Sequence, residues 1–217
     1  MEHYIIHTCA ERKWYVENYL IQALTEQHIN HIAVYIDYNK DGQIKSLINS
    51  YKCIGDKDAW HLQDDIIISS RFKELTEKNN SGIVCGFCNG FSSGQPGITN
   101  VWNMWYSMPC IRIPGSIFAH FVRWLQNEDA HKNYRDYFEE NKHDDVLFQS
   151  FLKDNYSRTS VLNLAPNVVN HIDYLLGGSL LNKSRNYDRQ FIMSKYWDEP
   201  DLLSDIEDKL EERRKEA

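Results

Sequence analysis

"WHLQDDIIIS", residues 60–69, sets two adjacent carboxylates, Asp64 and Asp65, ahead of three isoleucines. Successive strand residues point to opposite faces, so the two cannot share one ligand while the strand stays regular. At a strand end the chain is free to turn. One carboxylate then reaches a ligand while the other orients loop or backbone. Hard carboxylate oxygens suit Mg2+ or Mn2+, and those ions suit diphosphates. Taken alone, the pair reads more readily as helix capping and solvation around Ser69.

Working outward, "HYIIHTC" (3–9) and "HIAVYID" (31–37) read as short buried strands. Between them the stripe Val16, Leu20, Ala23, Leu24 predicts an amphipathic helix within 10–28. Beyond the carboxylate pair, the pattern predicts a helix over 69–79 capped by Ser69 or Ser70, a strand over 81–88 and a loop over 89–100. A strand over 110–115 and helices over 116–127 and 143–155 follow, then strand, turn and apolar stretch over 160–172. This alternation predicts an α/β fold: a mostly parallel mixed sheet flanked by helices, with ligands at the carboxyl ends of strands. Thr8, Asp37, Asp64 and Asp65 all fall at or near such ends. The expected division is a body over 1–197 and a charged helix over 198–217. The helix stripe, Leu202, Leu203, Ile206 and Leu210, docks on the body or on a second subunit as a homodimer.

A net charge of −7 argues against a protein relying on a phosphate-neutralising basic face. No apolar run approaches the ~18 residues of a membrane span. The first residues lack a signal-peptide pattern, and five cysteines, an odd number, suit a reducing compartment; both point to the cytoplasm. "CGFC" has redox or zinc spacing, but a loop follows it and no second pair exists, so Cys85 and Cys88 read as buried strand residues.

Asp144 and Asp145 open a predicted helix, where the dipole stabilises carboxylates and where a catalytic base can also be aimed into a cleft. "PNVVNHIDYLLGGSLLNKSRN" (166–186) combines His171, a Gly-Gly pair, Lys183 and Arg185. A histidine can complete a carboxylate-bound metal site, and the two cations can neutralise a diphosphate.

With its elements in this order the chain resembles the GT-A-type glycosyltransferases, and is most similar to small bacterial and phage enzymes of the lipopolysaccharide type. "IIHTCAERKWYVENYL" resembles their first strand, nucleotide loop and helix. "VYID" resembles the second strand, "LQDDIII" the DxD region, "HDDVLFQSFL" the acidic helix start, and "PNVVNHI…GGSLLNKSR" the C-terminal tail. Gln63 departs from the pattern, standing where an acidic residue begins the triplet.

The resemblance implies transfer of a sugar from a nucleoside diphosphate, UDP by preference, to an acceptor hydroxyl, with inversion and the assistance of Mn2+ or Mg2+. It implies Thr8, Arg12 and Asp37 near the nucleotide, Asp64 on the donor, and Asp65 with His171 on the metal. Asp145, or failing that Asp144, is then the base, and Lys183 and Arg185 steady the diphosphate. Trp102, Trp105 and Tyr106 are candidates to stack on an acceptor, which could be a glycan, a lipopolysaccharide core or modified phage DNA. A nucleotidyltransferase and a non-catalytic nucleotide- or sugar-binding module are the alternatives.

Overall fold

A computed structural model describes residues 2–88, 96–102, 108–140, 144–176 and 196–216. Nine strands occur among them: β1 (His3–Cys9), β2 (Ile32–Asp37), β3 (Ala59–Gln63), β4 (Ile66–Ile68), β5 (Ile83–Cys85), β6 (Gly97–Asn100), β7 (Cys110–Ile113), β8 (Ser160–Asn163) and β9 (Val169–His171). Seven form one sheet in the order β2-β1-β3-β7-β5-β8-β6, and β4 and β9 make a separate two-stranded sheet. Only β7 and β6 oppose the rest, so five of the seven strands run the same way.

The period-2 pattern divides the core between the two faces of this sheet. Tyr4 and Ile6 of β1, with Trp60 and Leu62 of β3, face the contiguous helical segments Lys13–Tyr15, Val16–Leu20 and Ile21–Glu26. Ile5 and Ala59 face the opposite way, toward helices Gln43–Ile54, Gly115–Leu125 and Asp144–Asn155. The Gly115 helix starts hard against the main chain. A Cβ at Gly115 would stand 1.9 Å from the Asp56 carbonyl oxygen, so only glycine fits.

Two expectations need correction, and a third, left open between two alternatives, is decided. The segment 97–100 is not loop: it is β6, paired antiparallel with β8, so its polar backbone joins the ladder despite the glycine-rich surroundings. Neither Ser69 nor Ser70 caps the next helix, Phe72–Lys78; its N-cap is Arg71. Ser69 instead accepts from the Arg71 N–H at 3.0 Å and donates to Glu199, whose carboxylate also takes the Ser70 N–H. The C-terminal helix, Pro200–Glu216, lays Leu203, Ile206 and Leu210 into this chain's own core, and Arg213 sits 4.0 Å above the Trp14 ring. Of the two places expected for this stripe, the body of the chain or a second subunit, it occupies the first.

No helix among the described residues is long and apolar enough to cross a membrane.

Candidate functional site

Between β3 and β4 the chain leaves one sheet and enters the other, and the turn between them is Asp64-Asp65. That break removes the opposite-face geometry of a regular strand. Both carboxylates now meet one cation: Arg12 Nη1 donates to Asp64 Oδ1 at 2.9 Å and to Asp65 Oδ2 at 2.7 Å. The second oxygen of Asp64 accepts from the Thr8 hydroxyl at 2.9 Å and the Cys9 N–H at 3.2 Å. Asp64 thus ties the end of β1 to the end of β3.

Asp65 has a different environment because of the small sheet. Antiparallel pairing sets His171 opposite Ile66, and the Ile172 N–H donates to the Asp65 carbonyl at 2.7 Å. His171 Nε2 consequently lies 3.2 Å from Asp65 Oδ1. Burial alone would raise the Asp65 pKa, but His171 and Arg12 hold it below the usual carboxylate range. For Asp64 burial prevails, aided by Asp65, and the pKa rises despite Arg12 and Thr8. His171 is pushed down by burial but carried upward overall by Asp65.

Asp64 and Asp65 border a cavity of about 470 Å³ at the carboxyl ends of β1, β2 and β3, and His171 is not among the residues that line it. Thr8, Arg12, Asp37, Asp64, Asp65 and Asp144 all line it. Asp145 is not among the lining residues. Asp144 is buried, and burial, with Asp145 beside it, lifts its pKa to about 7. Asp37 lines the cavity, yet its carboxylate accepts from the Asp41 and Gly42 N–H groups and the Ser46 hydroxyl, closing the turn after β2.

Trp102 lies beyond β6, the strand at the opposite edge of the sheet from β2. It is exposed and its indole donates to the Ser157 carbonyl at 3.1 Å. Trp105, Tyr106, Lys183 and Arg185 lie outside the described residues. Sequence reasoning missed His7 and His61, which line the same cavity. Their signal was a histidine in each of two apolar strands, at positions alternating onto one sheet face.

The fit of a divalent ion turns on Asp65 Oδ1. This oxygen is buried and faces His171 Nε2 at 3.2 Å, a contact that lowers the Asp65 pKa and raises that of His171. An oxygen and an imidazole nitrogen so spaced match neighbouring positions around an octahedral ion with bonds of roughly 2.1 Å. No group of three His, Cys, Asp or Glu among the described residues could hold a metal. Two protein ligands with the rest from water and phosphate is the usual arrangement for Mg2+. Asp65 and His171 are the two side chains that would hold such an ion.

No protein-family model matches the chain, and no curated protein matches it. Among solved structures, one from Bacillus anthracis named as a glucose-1-phosphate thymidylyltransferase aligns at 10% identity and TM-score 0.44, over 88% of this chain and 99% of that one. S. aureus TarS 1–349, solved with UDP, aligns at 13% identity and TM-score 0.46, over 76% of this chain and 61% of that one. The glycosyltransferase GlyE of Streptococcus pneumoniae aligns at 12% identity and TM-score 0.45, over 76% of this chain and 45% of that one. At these values the likeness carries neither family nor activity to this chain.

Proposed function

We propose that the protein is a glycosyltransferase that moves a sugar from a nucleoside-diphosphate donor, UDP by preference, to an acceptor hydroxyl. The observation that carries this reading is the meeting, in one cavity at the strand ends, of the Arg12-clamped Asp64-Asp65 turn and a separate buried carboxylate, Asp144.

Asp144 is the general base. A carboxyl whose pKa is lifted to about 7 is a stronger base when ionised than an ordinary carboxylate and remains available near neutral pH. It accepts the acceptor's hydroxyl proton as the new C–O bond forms and the nucleoside diphosphate departs, and with a single base the reaction inverts. Asp65 and His171 would hold a divalent ion, which when bound supplies positive charge toward the departing diphosphate. Arg12 fixes Asp65 by its Oδ2, leaving Oδ1 turned to His171. Asp64 positions the β1 end rather than reaching the donor directly, since its oxygens already accept from Thr8, Cys9 and Arg12.

The test is sugar transfer from UDP-sugars to a panel of glycan acceptors, scored by mass spectrometry. Asp144→Asn should bind donor with wild-type affinity and lose transfer by about a hundredfold or more. Wild-type turnover in that variant would remove Asp144 from the mechanism. Release of pyrophosphate from a nucleoside triphosphate would replace the reading with nucleotidyl transfer.

A further inference from the structure

The cavity has two unlike parts. Around the strand ends it is charged, with Glu11, Arg12, Lys40, Asp64 and Asp65. Along the sheet face that packs on Leu47 and Phe118 it carries His7 of β1 and His61 of β3 instead. The two rings stack at 5.4 Å with His7 Nε2 3.1 Å from His61 Nδ1. His61 also packs 4.3 Å from the Phe118 ring. Burial pushes the His7 pKa down to about 4, and burial followed by His7 pushes His61 well down, so both rings are neutral at pH 7.

One arrangement of protons costs this pair less than the other. A neutral imidazole carries a single N–H, and the His7–His61 contact uses one of the two. His61 Nε2 is buried with no hydrogen-bond partner among the described residues. An orphaned N–H in the interior is rarer and costlier than a bare acceptor, so the His61 proton belongs on Nδ1, donated to His7 Nε2. His7 must then carry its proton on Nδ1. That donor has no partner among the described residues, on a half-buried side chain that lines the cavity.

Asp37, expected near the nucleotide, is occupied by its own turn. The cavity wall nearest the histidines also offers the apolar side chains Leu47 and Met108. A planar neutral ring with acceptors at its edge suits such a wall; a phosphate does not.

We propose that His7, held in one tautomer by His61, reads the nucleobase: its Nδ1–H donates to a ring carbonyl or ring nitrogen of a base lying against Leu47 and Met108. The phosphates then lie at the Asp64–Arg12–Asp65 end. This inference rests on the nucleotide-sugar reading and adds which side chain selects the base.

The experiment is calorimetric titration of the wild-type protein, His7→Phe and His7→Gln with UDP, CDP, GDP, ADP and inorganic pyrophosphate, all with Mn2+. The wild type should prefer one nucleotide. His7→Phe should weaken the preferred nucleotide about tenfold or more and level the preference, leaving pyrophosphate unchanged. His7→Gln, which keeps a neutral donor, should retain part of the preference. Unaltered base preference in His7→Phe, or an equal loss for pyrophosphate, overturns the inference while leaving nucleotide binding intact. If no nucleotide binds the wild type, the nucleotide-sugar reading itself fails. Long-range 1H–15N spectra of the wild-type histidines avoid any folding defect. They should show His7 protonated on Nδ1, with that resonance moving on nucleotide but not on pyrophosphate. An Nε2-protonated His7, or a resonance unmoved at saturating nucleotide, contradicts the proposal.

Discussion

Asp144 carries a conflict between stability and chemistry. Its carboxyl titrates near 7 in the folded chain against an ordinary value of 3.8. Between those values the unfolded chain is ionised while the folded one holds its proton, so this group lowers stability as pH rises from about 4 to 7, after which the cost is constant. Asp144→Asn should therefore unfold later than wild type at pH 8, by about 1–3 kcal/mol in urea, and show no such gain at pH 3.5. The transfer rate should fall on the acid side of pH 7 as the base is protonated. Arg12 presents the opposite case. Arg12→Met leaves buried Asp64 without its cation and Asp65 with His171 alone, and should cost about 3–5 kcal/mol by the same measurement. The sequence showed both carboxylate pairs but not their division of labour. Which aspartate of 144 and 145 faces the cavity depends on how the helix is rotated against the sheet, and residue spacing within the helix does not determine that.

At the scale of elements, the decisive event is the passage from β3 to β4. The isoleucine run was readable as strand, but its membership in a second sheet depends on pairing with β9, about a hundred residues away in sequence. Long-range pairing of this kind brings His171 to Asp65 and is invisible to local periodicity. The resemblance to a known tail had already linked the two residues; the register now supplies the physical reason. Two substitutions probe the elements themselves. Gly115→Ala drives a methyl into the Asp56 carbonyl and should destabilise the fold by about 2 kcal/mol or more. Leu203→Ala should cost about 2–4 kcal/mol with no change in sedimentation, because the C-terminal helix packs on its own chain.

For the molecule as a whole, the alternation of strands and helices was legible because each element buries a face with a distinct period. The chemistry was only partly legible. Thr8, Arg12, Asp37, Asp64, Asp65 and Asp144 do gather at one cavity, but the hydrogen bonds show that Asp37 and Asp64 serve the scaffold. The histidine wall came to light only once the two faces of the sheet were known. The proposed function asks of these parts a site that binds a nucleoside diphosphate and a divalent ion jointly.

The most direct measurement is the melting temperature of the protein with UDP, GDP, ADP and CDP, each with and without Mn2+, in wild type and Asp65→Ala. Binding to the folded state alone raises the melting point by mass action. One nucleotide should raise it, Mn2+ should enlarge that rise while doing little by itself, and Asp65→Ala should erase the metal-dependent part. A melting temperature indifferent to all four nucleotides, with or without the metal, would contradict the account.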